Sequence, residues 1–316
     1  MNNHMFDILS FGSIYLDINC TNFPIENLEP EKETVSKDYS LQLGGSAVIS
    51  VAMASSLGLK TAFVGKVGHD LIGEQVKQKL IENSIVPHLL HSDTHQTNIS
   101  INYINASGRS VMTTVGNANQ SLEAEELLLM ITPLLPQINY LYLGGVFKFN
   151  HLSDFYRSIV AKAKEHGCKV LMDHGRVTNV VTLEQMRLVR ELAKTVDIYI
   201  PSIEEAKIVW DAQTGDDVLH KVKAHAPNVA VIVTQGPRGA MGVDAQGVMG
   251  KTQARDITPI NTVGAGDTFN AGFLFAISRG QSFADAMHFA QATAEYKIQT
   301  DTFPTADKIT AILETK

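Results

Sequence analysis

The stretch Asn261-Thr262-Val263-Gly264-Ala265-Gly266-Asp267 runs straight into a helical pattern, Thr268–Ser278, that Gly280 closes. Gly264 and Gly266 leave the backbone bare, so several N–H groups can point at one anion. The helix that begins there adds the positive end of its dipole to the same place. A carboxylate at that spot repels phosphate, so it makes poor sense as part of an anion site. It makes good sense as a proton acceptor beside one; the plainer alternative is a glycine-rich turn with Asp267 as a helix cap.

Working outward, short apolar runs alternate with helix-period segments. Asp7–Phe11, Tyr140–Leu143, Lys169–Met172, Asp197–Ile200 and Val229–Val233 read as strands buried on both faces. Between them, Leu71-Ile72-Val76-Leu80 follows a cap at Asp70, Leu183–Ala193 has a helical apolar face, and Phe283–Ile298 opens on a capping box at Ser282 and Asp285. This rhythm predicts an α/β fold with a mainly parallel sheet and helices on both sides. Two regions break it, Ile14–Leu43 and Thr97–Val115. The second reads as a hairpin, Asn98–Ile104 and Arg109–Val115 around a turn at Ala106-Ser107-Gly108, with Ile99, Ile101 and Tyr103 on its covered face. The expected organisation is one large domain (1–13, 44–96 and 116–316) and a small β lid (14–43 and 97–115) that excludes water from a site beneath it.

The 316 residues are 44% apolar and 19% charged, with a formal net charge of −7. Such a surface repels phosphate backbones and argues against wholesale nucleic-acid binding, although one cationic pocket can exist within it. The two cysteines, Cys20 and Cys168, have no metal-like spacing and read as reduced thiols. No apolar run approaches the roughly 18 residues of a membrane span and no secretory pattern opens the chain, so no membrane partner and a cytoplasmic location are expected. Ala245–Thr252 nearly spells a P-loop, but Ala245 replaces its first glycine, and a hairpin turn is the better reading. Phe269 stands where a dinucleotide fingerprint needs its third glycine, which disfavours a dehydrogenase.

The 261–267 segment resembles the signature of the ribokinase-like (PfkB-type) carbohydrate kinases, Asp/Asn-Thr-x-Gly-Ala-Gly-Asp followed by a small-residue helix. Further segments resemble the family in order along nearly the whole chain. They are Gly12-Ser13-Ile14 with Asp17, Gly44-Gly45 before a helix, Gly65–Asp70 with Gly73, Gly116–Asn119, and Thr234–Gly239. The resemblance implies a ribokinase-like fold and an ATP-dependent kinase acting on a hydroxyl of a sugar or sugar-like molecule. Asp267 would be the general base, and the amides of Gly264, Ala265 and Gly266 would hold the transferred phosphoryl group. Asp17, Gly44 and Gly45 would bind the acceptor, Thr234, Gly236, Gly239 and Thr262 the nucleotide, and Glu205 would orient Mg²⁺ through water. Pairing of two chains into a homodimer through the lid is expected mainly from family behaviour.

Three positions depart from the family pattern. Ile49 stands where an asparagine is usual and cannot hydrogen-bond a sugar hydroxyl. Ser202 replaces the asparagine of an Asn-x-x-Glu motif. Asn261 stands where many members carry the aspartate associated with bound K⁺, so K⁺ activation is in question. Arg176, in Asp173-His174-Gly175-Arg176, could contact substrate or phosphate or serve a structural ion pair, and His174 reads as a loop histidine. A nucleoside kinase of the same fold and a catalytically silent ligand-binding member remain the alternatives, the first favoured by the apolar Val48 and Ile49.

Overall fold

Side chains at alternate positions of a strand face opposite ways, so a strand apolar at every position needs cover on both sides. The computed structural model, which describes residues 4–25, 32–36, 38–105, 110–175 and 181–315, has this arrangement. In chain order its strands are β1 (Phe6–Phe11), β2 (Tyr15–Thr21), β3 (Asp38–Gly44), β4 (Thr61–Gly68), β5 (Ile85–Ser92), β6 (Ile99–Ile104), β7 (Ser110–Val115), β8 (Ile138–Gly144), β9 (Lys169–Asp173), β10 (Ile198–Tyr199), β11 (Ala230–Thr234), β12 (Ala240–Val243) and β13 (Met249–Thr252). Nine form a central sheet in the order β13-β12-β11-β10-β9-β8-β1-β4-β5. Neighbours from β11 to β5 are parallel, whereas β12 and β13 pair antiparallel at one edge. The five strands expected from sequence are β1, β8, β9, β10 and β11.

The helices are α1 (Ser46–Ser56), α2 (Leu71–Glu82), α3 (Ala124–Ile131), α4 (Ser153–Glu165), α5 (Leu183–Ala193), α6 (Ile203–Trp210), α7 (Gly215–His225), α8 (Ala265–Ser278), α9 (Phe283–Thr300) and α10 (Ala306–Glu314). They cover the two faces separately. Leu9, Phe11, Leu141 and Leu143 of β1 and β8 pack with residues of α3 to α7, including Leu127, Phe155, Leu188, Val209 and Val222. Ile8, Tyr140 and Tyr142, one position out of phase, pack with α1, α2, α8 and α9 through Val48, Val76, Phe273 and Phe289. This period-two division puts α1 and α8 side by side on one face, and their N-termini carry the candidate site.

Local signals account for the helix starts. Asp70 accepts from the Gly73 amide at 2.8 Å, and its other oxygen takes the Thr97 amide at 2.8 Å, tying α2 to the chain entering β6. Ser282 accepts from Asp285 N at 3.2 Å as expected, but the Asp285 carboxylate takes the Ser282 hydroxyl at 2.6 Å instead of its backbone amide. Aspartate is one methylene shorter than the glutamate of a full capping box. Ala240–Thr252 is a hairpin whose turn is held by Asp244, which accepts from Gln246 N and Val248 N at 2.9 and 2.7 Å. The P-loop-like reading of that stretch therefore has no structural counterpart.

The two regions that broke the helical rhythm build a second sheet, in the order β3-β2-β6-β7. Its hairpin forms between β6 and β7, while the expected turn residues lie outside the described residues. The covered position differs from expectation: Ser100 is 4% exposed, and Ile99, Ile101 and Tyr103 are only partly buried. Register explains this. Asp17 pairs with Ser100 and Gln42, and Asn19 with Asn102 and Ser40, so one face of the sheet carries a polar array. Leu16, Ile18 and Cys20 align with Ile99, Ile101 and Tyr103 on the other.

Candidate active site

Parallel strands end together, so loops at their carboxyl ends converge on one edge of the sheet. There the chain enters α8 through Gly264, whose φ of +75° is a left-handed conformation that glycine adopts without a Cβ clash. The helix starts at Ala265, earlier than the apolar pattern indicated, so Ala265, Gly266 and Asp267 form its first turn, where N–H groups have no intrahelical acceptor. Of the expected amides, that of Ala265 is turned back to Thr262 O at 3.3 Å. Gly266 faces open space: a Cβ there would meet nothing within 4 Å.

Asp267 points towards α1 and the sheet. Ser50 Oγ lies 3.4 Å from Asp267 Oδ1 and donates to Tyr142 Oη at 3.1 Å. Asn270, one turn along α8, donates to Tyr142 Oη at 3.1 Å and to Asp173 Oδ2 at 2.8 Å. Ser50, Tyr142 and Asn270 are each at most 2% exposed, a buried polar relay between the three elements. Burial raises the Asp267 carboxyl well above the usual carboxylate range. The charges of Asp173 and Glu205 push the same way, opposed by the Ser50 hydroxyl and the Lys297 ammonium. Asp173, at the carboxyl end of β9, is likewise raised, first by burial and then by Glu205, although it accepts from Gly175 N at 2.9 Å.

Glu205 sits in the first turn of α6, where it and Ser202 form a capping box. Ser202 Oγ accepts from Glu205 N at 3.4 Å, and Glu205 Oε2 accepts from Ser202 N at 3.2 Å. One carboxylate oxygen is thus engaged in capping its own helix. The charges of Asp173 and Glu205 offer hard oxygen ligands of the kind Mg²⁺ takes alongside water and phosphate. Among the described residues no three His, Cys, Asp or Glu side chains could hold a metal by themselves. Ser202 also bridges to Thr234 at the end of β11. Beyond it Gly236 is exposed with no atom near its missing Cβ, while a Cβ on Gly239 would overlap the Thr252 carbonyl. Thr262 is exposed at the mouth of α8.

Asp17 approaches from the second sheet. Burial pushes its carboxyl up to about 6, with the Ser100 hydroxyl acting in the opposite direction. A Cβ added to Gly44 would overlap the Asp17 carboxyl carbon and both its oxygens. Gly45, φ +112°, is the N-cap of α1, and a Cβ there would strike the Ser13 carbonyl. The paired glycines are therefore bare because Asp17 and Ser13 fill the space, not because it lies open to a ligand. Through them Asp17 is locked to the start of α1, one turn before Ile49 and Ser50. Ile49 Cγ2 would lie 3.4 Å from a Cβ on Gly264, so α1 physically joins the Asp17 and Asp267 ends of the site.

Arg176 lies outside the described residues. His174 is fully buried, its Nδ1 3.1 Å from Tyr199 Oη, and burial pushes its imidazole down to about 3, leaving it neutral and structural. Sequence reading missed Ser50, Tyr142, Asn270 and Asp173. Only Asp173, an acidic residue ending a parallel strand, carried a usable signal.

A glycine loop at a helix mouth, set over the carboxyl edge of a parallel sheet with a carboxyl group beside it, defines a phosphate-handling α/β protein. Residues 5–302 match the family model described as pfkB family carbohydrate kinase, and the chain belongs to that family. It is 26% identical over 283 residues to a ribokinase of Haemophilus influenzae, covering 85% of each chain. It is 23% identical over 327 residues to a 5-dehydro-2-deoxygluconokinase of Halalkalibacterium halodurans, covering 98% of this chain and 95% of that one. A protein from E. coli provisionally named ribokinase II, solved with ATP and Mg²⁺, superposes with a TM-score of 0.82 at 16% identity, over 98% of this chain and 100% of the other. No helix among the described residues is long and apolar enough to cross a membrane.

Proposed function

We propose that this chain transfers the γ-phosphoryl group of ATP to a hydroxyl of a small sugar or sugar-like polyol. The observation that carries the reading is the place of Asp267: in the first turn of α8, beside the open face of Gly266, and held 3.4 Å from Ser50. Asp267 takes the proton of the acceptor hydroxyl as its oxygen bonds to the γ-phosphorus and ADP departs. A carboxyl raised by burial binds that proton more strongly than one in water, which suits a base. The amides of Gly264 and Gly266, with the start of α8, face the charge on the transferring group, and Ala265 contributes if its amide releases Thr262.

Asp17, an acceptor-only group when ionised, receives acceptor hydroxyls, with Gly44 and Gly45 fixing its place. Its neighbours on the same sheet face, Asn19, Ser40, Gln42, Ser100 and Asn102, suit a hydroxyl-rich molecule better than a nucleobase. Thr234, Gly236, Gly239 and Thr262 would receive the nucleotide. Mg²⁺ would be held through Glu205 and Asp173, largely by way of water, and neutralise phosphate charge. The second sheet, β3-β2-β6-β7, acts as the lid expected from the regions 14–43 and 97–115. Its other face exposes Tyr39, Val111 and Val115, which supports pairing of two chains into a dimer.

The experiment is an ADP-release assay with ATP and Mg²⁺ across sugars, sugar acids and nucleosides, including ribose and 5-dehydro-2-deoxygluconate, the acceptors named for the relatives. A sugar or sugar acid is expected to give the highest kcat/KM. Nucleosides in first place, or ADP release that no acceptor stimulates, overturns the proposal.

A further inference from the structure

Lys297, on α9, is 6% exposed, and its ammonium is aimed at the loop that feeds α8. It donates to the carbonyl oxygen of Val263, lies 3.4 Å from that of Asn261, and pairs with Asp301 Oδ1 at 3.1 Å. Asp301 Oδ1 also accepts from Asn261 Nδ2 at 2.9 Å, and Asn261 Oδ1 accepts from Val263 N at 2.9 Å. Ile260 N and Asn261 N both donate to Ile298 O, at 2.8 and 3.3 Å. The segment 260–263 is thus laced to the last turn of α9, with one buried cation at the centre.

A buried ammonium costs several kcal/mol unless it is well paired, and an apolar chain of similar length would fill the same volume without that cost. Two main-chain carbonyls turned towards one point repel each other unless a cation lies between them. The consequence for α8 follows from peptide planarity. In a trans peptide the C=O and the next N–H point in opposite directions. Holding the Val263 carbonyl on Lys297 therefore turns the Gly264 amide, one residue before the start of α8, away from the ammonium.

We propose that Lys297 is a positioning residue, a tethered cation that orients the anion-hole loop and removes the need for a free monovalent ion there. The inference rests on the kinase reading of α8. A free K⁺ does not fit beside these carbonyls: Asn261 brings no charge, and the ammonium already occupies the oxygens of Asn261 and Val263.

The test uses the full chain in buffer whose only added salt is tetramethylammonium chloride, KCl or NH₄Cl at equal ionic strength. Two readouts are taken: the rise in Tm on adding ADP, which needs no acceptor, and the steady-state rate. For the wild type the ADP affinity derived from the Tm rise and the steady-state rate are each expected to agree within about twofold across the three salts, a spread of less than about 0.5 kcal/mol. Lys297→Met is expected to bind ADP and turn over about tenfold or more worse, the scale of one lost charge-assisted hydrogen bond. K⁺ or NH₄⁺, but not tetramethylammonium, is expected to restore part of the loss in Lys297→Met or in the roomier Lys297→Gly. Lys297→Arg, which keeps the charge, is expected to stay cation-independent and serves if the neutral variants do not fold. Wild-type dependence on K⁺ overturns the proposal, as does a folded Lys297→Met with unaltered ADP binding and rate. A loss that neither ion repairs in either neutral variant does so too, because Lys297 is then only a packing element. Failure of the kinase reading looks different: no acceptor is phosphorylated in any salt, while the ADP-induced Tm rise still reports on the cation.

Discussion

Replacing Gly44 by alanine separates placement of Asp17 from its chemistry. Gly44 does not have a positive φ, so the backbone accepts alanine, and the lost flexibility of the unfolded chain slightly favours the variant. The new Cβ, however, would overlap the Asp17 carboxyl group, so that group must turn away from its present position. If Asp17 receives acceptor hydroxyls, the turn removes charge-assisted hydrogen bonds worth about 1.5–3 kcal/mol, a roughly 10- to 150-fold rise in acceptor KM. The Tm and the KM for ATP should stay close to wild type. The decisive assay is a double-mutant cycle on acceptor kcat/KM with Asp17→Ala. Once the carboxyl group is gone the Cβ has room, so Gly44→Ala should cost almost nothing further in that background. Additive losses, or an unchanged acceptor KM in Gly44→Ala, would mean that Gly44 does not act through Asp17.

Two further outcomes follow from the same contacts. Asp17 is pushed up to about 6, and donors of the acceptor bind its ionised form, so acceptor binding should be full above that pH and weaken as the pH falls through it. An acceptor-KM profile checks this, and Asp17→Asn should flatten it while raising KM throughout. Tyr142→Phe removes the oxygen that accepts from Ser50 and Asn270, leaving the buried Ser50 hydroxyl only its long 3.4 Å contact with Asp267 and Asn270 only Asp173. The expected cost is about 1–3 kcal/mol in urea unfolding at unchanged m, with a smaller fall in kcat than any change at Asp267; a loss below about 0.5 kcal/mol contradicts the relay.

Much of this arrangement is legible in the order of the amino acids, and the parts that are not share a cause. Asp267, Gly264 and Gly266 declare themselves because a bare loop and a charge at a helix start are local features. The five buried strands and the cap at Asp70 are local too. Tyr142 sits inside Tyr140–Leu143, where its ring reads as core; that its hydroxyl gathers Ser50 and Asn270 depends on residues 92 and 128 positions away. Ser50 and Asn270 lie among small and apolar neighbours in α1 and α8, a pattern that reads as packing. Gly44 and Gly45 stand out as special, but the atoms that crowd them belong to Asp17 and Ser13, some thirty positions away. Ser100 is hidden by an alternation of Ile99, Ile101 and Tyr103 that points to the opposite face. Conversely, Ser202 looks like a weakened motif, whereas Ser-x-x-Glu caps α6 in its own right.

If the carboxylate at the mouth of α8 removes the acceptor proton, Asp267→Asn should lower turnover steeply while sparing the phosphate site. The amide is nearly isosteric, so ADP affinity and Tm should hold or improve slightly as a repelling charge leaves the phosphate site. The kcat with the best acceptor should fall by roughly 10²–10⁴-fold, the usual worth of a positioned general base. A folded Asp267→Asn protein that turns over at the wild-type rate would contradict the account.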